Sequence, residues 1–291
     1  MIPKFQNGKS KGAYFTRLKY RPNWQQYVLI ISDVHLDALH SDRKLFKKHL
    51  TQAQELNAPV IINGDLLDLT GHKLDPRNSK HEIDPLFATS EDYLGDICEY
   101  TADFLAPFAE NIVLLGYGNH EWEYKRRHEI CPLSIVATHL KLKTGVRPIV
   151  APYTFWVQFK CESHTGGRRK TVRAKFHHGA GGNSPVTKGM IASNRSVVNW
   201  DADVYVRSHI HNRFTAHLPY ERISATGVIL EDQSRLYLQT GAYVSDYKNG
   251  NSWSQRKAFG SPSLGGYWLR LYCDTTSDPN NLIKWIAYPT D

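Results

Sequence analysis

The chain has 291 residues, a mass of 33.3 kDa, 41% hydrophobic and 12% aromatic residues, and a formal net charge of +8. That composition belongs to a folded globular protein, and no apolar run approaches the roughly 20 residues of a membrane-spanning helix. The positive charge favours polyanionic partners through phosphate contacts and counterion release, with a solubility surface as the plainer alternative.

Residues 1–26 carry Lys4, Lys9, Lys11, Arg17, Lys19 and Arg21 before the first acid appears. They read as an irregular basic arm ahead of one domain, 27–291. The arm has no apolar h-region, so it does not resemble a secretory signal. Cys98, Cys131, Cys161 and Cys273 are dispersed, with no CxxC pair. Reduced thiols, a cytoplasmic location and no membrane partner are therefore expected.

Tyr27–Ser32 is a continuous apolar run of strand length, as for a strand covered on both faces. Ser41 or Asp42 then caps a helix whose apolar face includes Leu45, Phe46, His49, Leu50, Ala53 and Leu56. Pro59–Asn63 is a second buried strand. Thr70–Thr89, with Pro76 and Pro85, reads as a long loop of the kind that is usually functional or mobile. A helix follows over 91–109, then a third buried strand at Asn111–Leu115 and a helix opened by Pro132. From Pro148 strands dominate, near 153–160, 171–177, 203–207, 236–239, 267–273 and 282–288, with one helix near 186–200 between them. A βαβ-like first half and a strand-rich second half imply a layered α/β sandwich.

Polar groups suited to metals follow the apolar strands. Asp33-Val34-His35 comes after the first, Gly64-Asp65-Leu66-Leu67-Asp68 after the second, and Gly118-Asn119-His120-Glu121 after the third. His177-His178-Gly179 and Ser208-His209-Ile210-His211 close two later strands. Carboxyl ends of strands are where open α/β sheets bind ligands. In an extended segment DxH and HxH would each put two donors on one side, since strand side chains alternate. Each motif alone is weak, a polar loop end being the commoner reading; the ordered set of five is strong.

In this order the motifs resemble the calcineurin-like metallophosphoesterases, whose pattern is DxH, GDxxD, GNH followed by Asp or Glu, a later His-Gly, and GHxH. Ser208 stands where that family has Gly. Gln239-Thr240-Gly241-Ala242 is similar to its closing strand-turn, and the likeness spans about 27–245. It includes small phage-type phosphoesterases and the nuclease subunit of DNA-break-repair complexes.

The resemblance implies an αββα sandwich of two mixed sheets flanked by helices, and two divalent cations. One would be held by Asp33, His35, Asp65 and His211, the other by Asp65, Asn119, His178 and His209, with Asp65 bridging through one oxygen to each. His177 is the alternative to His178. Asp68 would orient a ligand histidine, and His120 would be the general acid, or else a hydrogen-bonding partner only. Imidazoles, carboxylates and an amide suit Mn²⁺ first, with Fe, Zn²⁺ or Ni²⁺ as alternatives.

The implied chemistry is hydrolysis of a phosphoester by a hydroxide bridging the two metals. Nucleic acid is the expected substrate, given the charge. Arg168, Arg169, Lys170, Arg173 and Lys175 form a second basic cluster that would flank a groove to the metals. Tyr243, Tyr247, Trp253 and Phe259, beside Lys248, Arg256 and Lys257, suggest a base-stacking segment. A nucleotide or protein phosphomonoesterase is the alternative. It lacks that branch's phosphate-gripping Arg after Asp68, for which Arg207 or Arg213 could substitute. A catalytically dead nucleic-acid-binding module is the third reading, disfavoured because every ligand is present.

Overall fold

The computed structural model describes residues 1–71, 83–182, 187, 189–223, 227–245, 263–275 and 282–291. In chain order the elements begin with β1 (Phe5–Asn7), β2 (Ala13–Tyr20), β3 (Gln25–Ile31), α1 (Arg43–Glu55) and β4 (Val60–Asn63). Next come α2 (Pro85–Ala88), α3 (Tyr93–Leu105), β5 (Ile112–Gly116), α4 (Asn119–His128), α5 (Pro132–Thr144) and β6 (Ile149–Ala151). β7 (Thr154–Ser163), β8 (Arg169–His177), α6 (Met190–Asn199) and β9 (Val204–Arg207) follow. β10 (Phe214–Ile223), β11 (Ile229–Gln239), β12 (Tyr267–Cys273) and β13 (Ile283–Pro289) complete the chain.

The strands form two mixed sheets. One has six strands in the order β13-β12-β3-β4-β5-β6, the other seven in the order β1-β2-β7-β8-β9-β11-β10. The continuous apolar runs have a direct cause. Leu29, Ile31, Val60 and Ile62 face a core built with Phe46 and Leu50 of α1, Ile97 of α3 and Val136 of α5. Their neighbours Val28, Ile30 and Ile61 face the other way, onto Phe155, Phe159 and Phe176 of the second sheet. A strand buried on both faces can carry no polar alternation. Burying each such side chain contributes about 1.5–3 kcal/mol. The seven-stranded sheet carries a smaller cluster on its outer face: Ala202, Tyr205 and Tyr237, with Trp156, Trp200 and Phe214 against them.

Residues 1–26 are not an irregular arm. β2 pairs in parallel with β7 along its whole length, and Tyr14, Leu18 and Tyr20 are buried. Aromatic and aliphatic groups alternate there with Arg17 and Lys19, and that period of two makes a half-buried strand. Three other elements are not evident from the sequence: the polar helix α4, the short β6 and the edge strand β10. Residues 72–82 of the expected long loop lie outside the described residues, while α2 occupies its last part, with the Asp84 side chain accepting from Leu86 N–H at 2.8 Å. Three cysteines are buried and all four are free thiols. No described helix is long and apolar enough to cross a membrane.

Candidate metal centre

β3, β4 and β5 run parallel, so the loops after them open at one edge of the six-stranded sheet. β8 and β9 are also parallel and bring His178 and the 208–211 loop to the same place from the other sheet. The sheets are joined there: Asn63 Nδ2 donates to Ser208 Oγ at 2.7 Å, and His209 N–H to Asp33 Oδ2 at 3.1 Å.

All seven expected metal ligands are brought together. Donor atoms of Asp33, His35 and His211 lie within 4.8 Å of one another, as do those of Asp65, His178 and His209. Asp65 stands between the groups. Its Oδ2 is 3.1 Å from His178 Nε2 and 3.9 Å from His35 Nε2. Its Oδ1 accepts the His120 backbone N–H at 3.0 Å, while Oδ2 faces both histidines. Asn119 Oδ1 lies 3.1 Å from His178 Nε2. His177 points elsewhere, its Nδ1 accepting Gly179 N–H and its ring stacking on Trp200.

The DxH and HxH segments are not extended. Asp33, His35, Asp65, His209 and His211 have φ of 51°, 47°, 50°, 77° and 53°. Five non-glycine residues in the left-handed region represent backbone strain of about 1 kcal/mol or more each. Gly64 is a further case, with φ of 93°; a Cβ there would collide with His178 Nδ1.

Buried carboxylates hold these loops. Glu121, in the first turn of α4, accepts from Gly118 N–H at 2.9 Å, Asp65 N–H at 3.2 Å and Leu67 N–H at 3.0 Å. Burial and the nearby Asp65 charge raise its pKa to about 7. Asp37 accepts from Asp68 and Leu69 N–H at 2.6 and 2.9 Å. Neither role is assigned from the sequence, where Glu121 only closes the third motif and Asp37 does not stand out. A Glu at the third position of a glycine-capped helix is the available signal. Glu121→Ala would leave three buried N–H groups without acceptors, at about 1–3 kcal/mol each. A melting temperature lower by about 10 °C is expected, with reduced metal uptake; an unchanged melting curve would remove Glu121 from this role.

Ser208, the departure from the family pattern, is accounted for. Its hydroxyl also lies 2.9 Å from Thr240 Oγ1, and Thr240 lies 2.6 Å from Ser32 Oγ, which donates to Asp33 Oδ2 at 2.5 Å. A chain of hydroxyls thus supports the first carboxylate. Gln239 Nε2 donates to Ser208 O at 2.7 Å, which places the 239–242 turn against the site.

Burial opposes ionisation of Asp33, but His211 and His178 outweigh it and hold its pKa at about 2. Asp65 lies well below the usual carboxylate range, burial being overcome by His178 and His120. Burial disfavours protonated His178 and His35, yet Asp65 brings His178 to about 10, and the Asp68 hydrogen bond with Asp65 brings His35 to about 9. Without cations, then, protons on histidine neutralise the carboxylates; cations binding there would displace them. Of the expected donor atoms, Asp33 Oδ1 and His35 Nε2 make no close hydrogen bond among the described residues, His211 Nε2 standing 3.4 Å from Asp33 Oδ1. Buried polar atoms are rarely left so, and cations fit this donor set.

Asp68 lies beside two histidines. Its Oδ1 is 3.0 Å from His35 Nδ1 and 3.3 Å from His120 Nδ1. His120 Nδ1 donates to the Asp68 backbone carbonyl at 2.5 Å.

Other expectations shift. Tyr243 is no stacking platform: it is fully buried, with its hydroxyl 2.7 Å from His49 Nδ1. Tyr247, Lys248, Trp253, Arg256, Lys257 and Phe259 lie outside the described residues. Arg213 is held by Thr290 O at 2.7 Å, and Arg207 lies opposite His177 in the β8–β9 ladder. Arg169 pairs with Glu162 at 3.0 Å and begins β8, the strand whose other end carries the site.

The calcineurin-like phosphoesterase family matches residues 27–213. Among solved structures, a metallophosphoesterase from Sphaerobacter thermophilus is 13% identical with a TM-score of 0.39, covering 92% of this chain and 89% of that one. Vacuolar protein sorting 29 from Cryptosporidium parvum is 13% identical with a TM-score of 0.36, covering 92% and 100%. A predicted phosphoesterase from Streptococcus pneumoniae is 11% identical with a TM-score of 0.31, covering 91% and 99%. Likenesses this loose add nothing to the family match. No curated protein matches the sequence. The family match spans more than half the chain, over the fold and donor set described above: the chain belongs to the calcineurin-like phosphoesterases and is a metal-dependent phosphoester hydrolase.

Proposed function

We propose that the chain is a phosphodiesterase acting on nucleic acid. Asp33, His35, Asp65 and His211 would hold one divalent cation, and Asp65, Asn119, His178 and His209 the other, Mn²⁺ being the first candidate. The observation that carries the two-cation assignment is Asp65 Oδ2, which faces both histidine groups, beside Asp33 Oδ1 and His35 Nε2, buried atoms with no close hydrogen bond among the described residues. Two cations held there would neutralise the phosphoryl oxygens and activate water for in-line attack.

The rest is done by the chain. Asp68 fixes the His35 ring through Nδ1, which leaves Nε2 for metal. Asn63 O receives the His178 Nδ1 proton at 2.8 Å and fixes that tautomer too. With Nδ1 donating to the Asp68 carbonyl, His120 carries its transferable proton on Nε2, and passes it to the leaving oxygen as the phosphorus–oxygen bond breaks. The net charge of +8 favours a polyanionic substrate.

Chelation is expected to reduce hydrolysis of a bis-aryl phosphodiester to background, and added Mn²⁺ to restore it. Full activity in a demonstrably metal-free preparation would end the reading. A panel with aryl phosphomonoester and single- and double-stranded oligonucleotides decides the substrate. Indifference to both nucleic acids, with efficient cleavage of the monoester, would move the assignment to a phosphomonoesterase.

A further inference from the structure

The outer face of the seven-stranded sheet combines aromatic rings and cations in a way the metal centre does not require. Phe15 on β2 has Lys160 Nζ 4.2 Å from its ring centroid and the Arg17 guanidinium at 5.5 Å. Two strands over, on β8, Lys175 is buried between two indoles, its Nζ 5.0 Å from Trp156 and 5.1 Å from Trp200. Trp200 in turn stacks on His177, the neighbour of the metal-centre residue His178.

Register aligns these groups. β2 runs beside β7 with Phe15 opposite Gln158 and Arg17 opposite Lys160; β7 runs beside β8 with Trp156 opposite Lys175. From Lys175 to His178 is three residues, about 10 Å of extended chain. The near end of this strip is a groove of about 610 Å³, lined among others by Lys9, Ser10, Phe15, Trp156, Gln158 and Lys160. None of its described lining residues is acidic. Glu162 lies further along β7, engaged by Lys19 and Arg169.

The geometry points to this groove and the Trp156–Lys175–Trp200 strip as a binding path for single-stranded nucleic acid leading to the metal centre. The inference deepens the reading of nucleic acid as substrate and rests on it. Phe15 and Trp156, only partly buried, suit a strand whose bases are free to stack, and Arg17 and Lys160 suit its phosphates, while buried Lys175 braces the two indoles. The 610 Å³ groove is large enough for a nucleotide. Gln158 and Ser10 offer hydrogen bonds to a base edge. A duplex presents no unstacked base to such a face.

The test separates binding from cleavage. Fluorescence anisotropy with a labelled oligothymidylate and the full chain, in chelator, reads binding alone. Phe15→Ala is expected to weaken it about 10-fold or more, and Phe15→Trp to retain it. Lys160→Glu and Arg17→Glu, on outward-facing side chains, are expected to weaken it similarly and to lower the salt slope by about one log unit for each phosphate no longer neutralised. Melting curves check that each variant is folded; the two charge variants carry the test if Phe15→Ala is not. Wild-type affinity in Lys160→Glu and Arg17→Glu, or no binding by the wild type, overturns the path. Cleavage is scored separately on the wild type with Mn²⁺. Oligonucleotide bound through this face but left uncut defeats the nuclease reading while the surface stands. Oligonucleotide cut but bound equally by the charge variants does the reverse.

Discussion

Asp65→Asn is expected to lower phosphodiester hydrolysis by at least about 10³-fold and to halve or abolish the bound metal. The substitution keeps size and shape and removes one charge. That charge is shared, because Oδ2 faces His178 at 3.1 Å and His35 at 3.9 Å. Losing one carboxylate should therefore weaken both sites. Several kcal/mol of charge stabilisation at phosphorus then disappear, and each 1.36 kcal/mol is tenfold in rate. Metal analysis and kinetics on the same preparation check it. An Asn variant holding two ions per chain and turning over normally would show that Asp65 is not the bridge.

His120→Ala should leave metal content intact and reduce turnover about 10²–10⁴-fold. The backbone N–H of residue 120 still reaches Asp65 Oδ1 in the alanine variant, so the scaffold persists. The deficit should be large for a nucleoside alkoxide, which needs a proton to leave, and should shrink for nitrophenolate, which does not. Equal losses on the two leaving groups would instead assign the ring to fixing Asp68 and His35, whose Nδ1 is 3.0 Å from that carboxylate.

Much of this centre was legible because its chemistry is local in sequence. The first three motifs follow strands whose burial on both faces leaves an unmistakable apolar run, as at Val28–Ile31 and Val60–Ile62. What could not be read is conformational. Nothing in Asp33-Val34-His35 says that both ends adopt positive φ; a strand pattern implies alternation, whereas here the N–H groups of Asp33, Val34 and His35 donate to the Gly64 and Asp65 carbonyls across the loops. β2 was hidden because Arg17 and Lys19 dominate its composition while Tyr14, Leu18 and Tyr20 do its packing. α4 was hidden because it buries only Glu121 and Tyr124, too few for a helical period to show.

The pairing of β12 with β3 sets the order in which the molecule can be made. Ile30 hydrogen-bonds beside Tyr267, more than two hundred positions later. At about 5–20 residues per second, β3 leaves the ribosome tens of seconds before its second neighbour exists. Through that interval β4 flanks it on one side, while the other presents Val28–Ile31 as a bare, hydrophobic edge, the kind that invites pairing with a foreign strand. Asp33, at the end of this strand, receives the Tyr243 N–H only after the same delay. Nascent chains stalled before residue 267 should therefore be aggregation-prone and metal-poor, and a cell making this protein quickly would need chaperones for it more than for a protein whose central strand finds both partners early.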